Sequence, residues 1–262
     1  MSRKMEKTIE IAVEPEKVWK ALTDPRELTR WFPLEARVEP GAGGSILYSW
    51  GPEMGSPNRI EIWEPARRLL LSETLPGGVT LALDFILVGE RGRTTLRLVH
   101  EGFRDGADWS DEYDAFSRGW DYELRSLRHY LERQFGRDRV TTSARRALAI
   151  DMDQAWRRLT GPSGIVSGGF PAGLREGAPL DITLKTGERL EGRVLIWDPM
   201  RQFAAVAENM DGALVRLELM RCGGPAEACL WLASYAAADP RIREMAGRWD
   251  EMLTKILSAP TP

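Results

Sequence analysis

Apolar and polar residues alternate over residues 8–13, which predicts a strand. At Pro15 the spacing becomes helical, with Val18, Trp19 and Leu22 on one side. Pro15 suits the first helical position, and Glu14 and Glu16 put negative charge at the positive end of the helix dipole. This helix is expected to stop at Thr23-Asp24-Pro25, where Pro25 restricts the residue before it and opens a second short helix reaching Trp31. Strand character returns over residues 35–39, 45–50, 59–64, 68–74, 79–88 and 93–100. The runs 40–44, 76–78 and 89–92 between them are rich in turn formers, so neighbouring strands should fold back as antiparallel hairpins. From Asp111 to Phe135 the residues Tyr113, Phe116, Trp120, Leu124, Leu127 and Leu131 recur at three and four, one wide apolar stripe on a single long helix. At about 1.5–3 kcal/mol for each buried side chain, that stripe commits the helix to lie across the sheet.

The same pattern occurs twice. VEPEKVWKALTDP at residues 13–25 returns 137 positions later as IDMDQAWRRLTGP at residues 150–162, and WDYELRSL at 120–127 returns as WDEMLTKI at 249–256, shifted by 129. The chain therefore reads as two copies of one unit, residues 1–136 and 142–258, with a linker over 136–141; the second copy is about eight residues shorter between its marked ends. In it strands are expected at 180–184, 190–197, 203–208, 213–221 and 227–234. A helix over 239–257 follows, with Ile242, Met245, Trp249, Leu253 and Ile256 as its stripe.

The runs VWKALTDPRELTRWF, VEPGAGGSILY, IEIWEPARRLLLSET, TTLRLVHEGF and GWDYELRSLRHYL together resemble the SRPBCC superfamily of START-related helix-grip proteins. Within it they resemble the AHSA-type branch, named for the C-terminal domain of activators of a heat-shock chaperone ATPase. The resemblance covers residues 5–135, and residues 142–257 resemble a degenerate second copy. It implies an α+β fold of tandem helix-grip (START-like) domains, each a curved antiparallel sheet wrapped around a long C-terminal helix, with two short helices after the first strand.

The resemblance also implies an apolar cavity between sheet and long helix. Independently, the first copy has an excess of large aromatics, and the ligand-cavity candidates are Trp31, Phe32, Tyr48, Trp50, Trp63, Phe85, His100, Trp109, Phe116 and Trp120. Trp31, Phe32 and Trp109 are placed at the mouth. His100 follows Leu96 and Leu98 on one strand face and, facing inward, would hydrogen-bond a carbonyl or hydroxyl or act as an acid or base. Asp84 falls on the face opposite Leu83 and Phe85, and Glu61 and Glu73 are taken as solvent-facing. The second copy lacks the Trp-Phe pair after its first helix and is read as a packed partner, so ligand capacity is expected in residues 1–135.

Composition narrows the functions. With 43% hydrophobic and 29% charged residues the chain reads as soluble and globular, and no apolar run approaches a membrane span, so neither membrane insertion nor export is expected and the compartment reads as cytoplasmic. A net charge of −3 without a concentrated basic face excludes a nucleic-acid surface. Two histidines exclude a His-based zinc site, and Cys222 and Cys229 read as buried small hydrophobes on neighbouring strands, so neither metal nor cofactor is expected. No nucleophile motif or phosphate loop occurs. The leading expectation is a non-catalytic carrier or sensor of a hydrophobic small molecule. The alternatives are a chaperone-associated or other protein-contact role, which the resemblance implies, and a cyclase- or dehydratase-type enzyme using His100 and Tyr48 in the same cavity.

Overall fold

The computed structural model describes residues 2–51, 55–75, 77–106, 109–221, 224–236 and 240–258. Two units share the chain, Met1–Arg137 and Asp138–Pro262, each with its own antiparallel sheet.

In the first unit β1 (Ser2–Ile11) leads into α1 (Pro15–Thr23) and α2 (Pro25–Leu28). Asp24 both ends α1 and starts α2: its N–H donates to Lys20 O, and its carboxylate accepts the N–H groups of Arg26 at 2.9 Å and Glu27 at 3.2 Å. The chain then runs through β2 (Glu35–Glu39), β3 (Ser45–Ser49), β4 (Gly55–Glu64), β5 (Arg68–Leu75), β6 (Val79–Glu90) and β7 (Arg93–Arg104). Every consecutive pair from β2 to β7 is a hairpin neighbour, and β1 closes on β7, giving the order β1-β7-β6-β5-β4-β3-β2. The inward positions of β6, Val79, Leu81, Leu83, Phe85 and Leu87, are buried. The stripe residues Trp120, Leu124 and Leu127 of α3 (Ser110–His129) are buried too, and Trp120 packs its ring against Phe85. A curved sheet over one long helix is thus the architecture of this unit.

The α-helix stops earlier than its apolar stripe. Beyond His129 the backbone widens into a π-helical turn, Tyr130–Gln134. That turn holds Tyr130 fully buried with its hydroxyl donating to a Glu27 carboxylate oxygen, which fastens the end of the long helix to α2. β1 and β7 run further than the alternation indicates because each satisfies the other's backbone out to Ser2↔Arg104.

The second unit comprises β8 (Val140–Ala147), α4 (Met152–Thr160), β9 (Pro179–Thr183), β10 (Arg189–Asp198), β11 (Gln202–Ala207), β12 (Ala213–Met220), β13 (Glu227–Ser234) and α5 (Pro240–Ser258). Its strand order, β8-β13-β12-β11-β10-β9, repeats the first unit with one strand fewer. β8 already begins at Val140, so the expected linker over 136–141 is partly strand. One helix, not two, follows β8 among the described residues. Gly161 stands where Asp24 stands in the first copy, and without a carboxylate it cannot cap a second helix; its N–H closes α4 on Arg157 O and the chain turns away. Cys229 is buried on β13, where burial raises its thiol pKa, and Cys222 lies outside the described residues. Among the described residues no helix is long and apolar enough to cross a membrane, and no cluster of three or more metal-ligating side chains occurs.

Candidate functional site

On β7 the inward side chains are Leu96, Leu98 and His100. Gly102 is then the extra residue between the pairs Lys4↔Glu101 and Arg3↔Phe103, a bulge with φ +100 that lets His100 and Phe103 share the interior, their rings 4.7 Å apart and edge-on. From α3, Trp120 Nε1 donates to His100 Nδ1 at 3.1 Å. An indole N–H is a donor only, so Nδ1 accepts, and the neutral imidazole carries its proton on Nε2. Burial keeps the ring neutral by bringing its pKa down to about 4. Nε2–H makes no hydrogen bond among the described residues.

A second aromatic group forms where the chain leaves α2. Phe32 is its hub, with Tyr48 at 5.0 Å and Trp50 at 5.2 Å, both edge-on, and Trp120 at 5.3 Å. Between this group and His100 lies a cavity of about 400 Å³, lined by Phe32, Tyr48, Trp50, Leu81, Leu83 and Phe116 together with His100 and Trp120. Gly55, Asn58 and Glu73 complete the wall. Burial pushes the Tyr48 phenol well above its ordinary pKa, and its hydroxyl makes no hydrogen bond among the described residues. Trp50, 37% exposed, stands at the rim.

Six of the ten aromatic and histidine candidates therefore line this space: Phe32, Tyr48, Trp50, His100, Phe116 and Trp120. The other four are occupied elsewhere. Trp31 is buried behind Phe32, stacked on it at 5.0 Å, and its indole N–H donates to Ala21 O, so it is core rather than mouth. Trp63 packs edge-on against Trp19 of α1 at 5.0 Å. Phe85 is buried with its ring against Trp120, and Trp109 precedes the first turn of α3 beside Phe103. Glu73 is corrected in the other direction: read as solvent-facing, it lines the cavity, because it shares the strand parity of the buried Leu69 and Leu71. Asn58 and Leu81 were not anticipated. Leu81 follows from the alternation of β6; Asn58 carried no signal in a segment rich in turn formers. Asp84 lies on the outer face, where Arg68 holds it through two hydrogen bonds of 3.0 and 2.8 Å.

The second unit keeps the tryptophan and not the histidine. His100 pairs with Met5 across β7–β1, and Leu232 pairs with Thr142 across β13–β8; Thr142 lies 137 positions after Met5, the offset of the helix repeat. Leu232 thus stands in the place of His100. Trp249, the counterpart of Trp120, is fully buried and its Nε1 has no hydrogen-bond partner among the described residues.

Sheet, long helix and the half-enclosed cavity between them define the first unit as a helix-grip domain of the START-related type, and the second repeats that fold. Residues 12–132, most of the first unit, match the model of the family described as Activator of Hsp90 ATPase homolog 1-like protein. No curated protein matches the sequence. Among solved structures, a protein from Mesorhizobium loti is 24% identical over 51% of this chain and 99% of its own, with a TM-score of 0.45. DynU16, a protein of the dynemicin biosynthetic locus, is 18% identical over 97% of this chain and 96% of its own, with a TM-score of 0.45. The di-domain ARO/CYC BexL of the BE-7585A biosynthetic pathway is 13% identical over 99% of this chain and 100% of its own, also with a TM-score of 0.45.

Proposed function

We propose that the amino-terminal unit is a non-catalytic carrier or sensor that encloses a hydrophobic small molecule in the cavity under α3. The observation that carries this reading is the combination of apolar aromatic walls with two inward polar atoms, His100 Nε2 and Tyr48 Oη, that no group among the described residues uses. A space of about 400 Å³ falls within the range of roughly 300–1,000 Å³ usual for small-molecule sites. The apolar walls supply affinity and the polar atoms fix orientation.

The enzyme reading draws on the same two residues, and the hydrogen bonding of His100 weighs against it. A general base needs a lone pair, and the lone pair of His100 at Nδ1 already accepts from Trp120. What remains is a donor, suited to holding a carbonyl. A chaperone-contact role has the family description as its support.

The neutral dye N-phenyl-1-naphthylamine tests the carrier reading on the full chain. Its fluorescence should rise on binding, and Leu83→Trp, which fills the cavity from β6, should abolish the rise while leaving the fold intact by circular dichroism. Equal dye binding by both proteins would remove the cavity as the site.

A further inference from the structure

The charge of the cavity wall says more about its occupant than its size does. Among the described residues Glu73 is the one acidic residue that lines the space, and no lysine or arginine does. His100, the remaining titratable cation-former, is held neutral by burial at any pH well above about 4. The rest of the wall is dominated by aromatic rings, whose faces carry the negative lobe of the ring quadrupole. Phe32, Tyr48, Trp50 and Trp120 pack on one another at 5.0–5.3 Å from the Phe32 ring and together form an aromatic side of the cavity, which reaches the exposed residue Trp50.

We propose that the occupant is an organic cation, a protonated or quaternary amine on an apolar body, with its charge held between the aromatic side of the cavity, formed by Phe32, Tyr48, Trp50 and Trp120, and the carboxylate of Glu73. This deepens the carrier reading and rests on it. Aromatic rings attract a cation through their faces, and the attraction strengthens as water is excluded, which a half-enclosed cavity does. A carboxylate-bearing molecule would meet Glu73 as a like charge and find no cationic side chain among the described lining residues. The apolar body of the ligand lies against Leu81, Leu83 and Phe116, and a carbonyl or ether oxygen on it accepts from His100 Nε2–H.

The experiment compares benzyltrimethylammonium with neopentylbenzene, its neutral carbon isostere, by tryptophan fluorescence of the full chain. The cation should bind about tenfold more tightly than the isostere. Glu73→Gln should remove most of that preference while changing the affinity for neopentylbenzene by less than about twofold. Trp50→Leu, at the exposed rim, provides a second variant with the same expected direction should Glu73→Gln fail to fold. An isostere that binds as tightly as the cation, or a cation preference that survives both substitutions, overturns the proposal. If neither probe binds while N-phenyl-1-naphthylamine does, the cation proposal falls and the cavity stands; if none of the three binds, the carrier reading falls as well.

Discussion

Trp120 Nε1 donates to His100 Nδ1 at 3.1 Å, joining the long helix to the strand it crosses in the middle of the first unit's interior. This bond sets the histidine tautomer, and with it the polar character of the cavity wall. In the second unit the equivalent pair is Trp249 and Leu232, and the buried indole N–H has no partner among the described residues. One protein thus contains the pair with and without its acceptor.

A double-mutant cycle measures what the bond contributes. His100→Leu, which recreates the second unit's arrangement in the first, should lower the unfolding free energy by about 1–3 kcal/mol, because it strands the Trp120 N–H in an apolar interior. Trp120→Phe should be less damaging in the His100→Leu background than in the native one, with a coupling of about 1 kcal/mol or more in urea titrations. Strict additivity would show that the bond does not form.

Acid should weaken the first unit through His100. Its folded pKa, about 4, lies below the ordinary value of 6.5, so between those pH values the unfolded chain binds a proton that the folded one refuses. The stabilisation is therefore complete above pH 6.5, is lost as pH falls towards 4, and levels off below. At 1.36 kcal/mol per unit the loss amounts to about 3 kcal/mol. His100→Gln should flatten this part of the stability profile relative to the native protein. An imidazole that titrates near 6.5 in NMR spectra of the folded protein would contradict the assignment.

The fold was legible because its signals are local and repeated: the Asp24-Pro25 break, the turn-rich strand connections, and a stripe on α3 that recurs on α5. The cavity was legible in its residue types and not in its membership. Strand alternation gives sidedness only while the register holds and a polar residue marks the outer face, and each condition fails once. The bulge between Ile60 and Ile62 hides which side Asn58 takes, and Glu73 follows the near-continuous apolar run Leu69-Leu70-Leu71, where no polar residue marks the outer face. Trp31 and Phe32 are adjacent and equally aromatic; what separates core from wall is the Ala21 carbonyl that takes the Trp31 N–H, a contact ten residues back that composition does not show.

Tyr130 should act as a structural latch. Burial, reinforced by the neighbouring Glu27 carboxylate, pushes its phenol up to about 12, and its hydroxyl joins the π-helical turn to α2 while accepting the Gly136 N–H at 3.0 Å. Tyr130→Phe leaves Glu27 with Arg30 at 3.0 Å and removes the hydroxyl's bonds to Glu27 and Gly136. A loss of about 1–3 kcal/mol is expected in denaturant titrations. Ultraviolet titration should show one tyrosine of the native protein ionising near pH 12, and that component should vanish in the variant.

Gly102 is the position where a single carbon should do most harm. Its φ of +100 is costly for any residue with a side chain, and an added Cβ would meet Thr80 O at 2.3 Å, a backbone atom of the paired strand β6 that cannot move aside without breaking the ladder. Relief by shifting the bulge would turn Phe103 or His100 out of the interior, since the extra residue is what lets both face inward. Gly102→Ala should therefore lower the melting temperature of the first unit markedly, by an amount corresponding to about 2 kcal/mol or more. Gly78→Ala, also at positive φ but with nothing within 4 Å of the added carbon, should cost less. Equal melting temperatures for the two variants would show that β7 accommodates a side chain at the bulge, and that the close approach of Thr80 does not fix the position of His100.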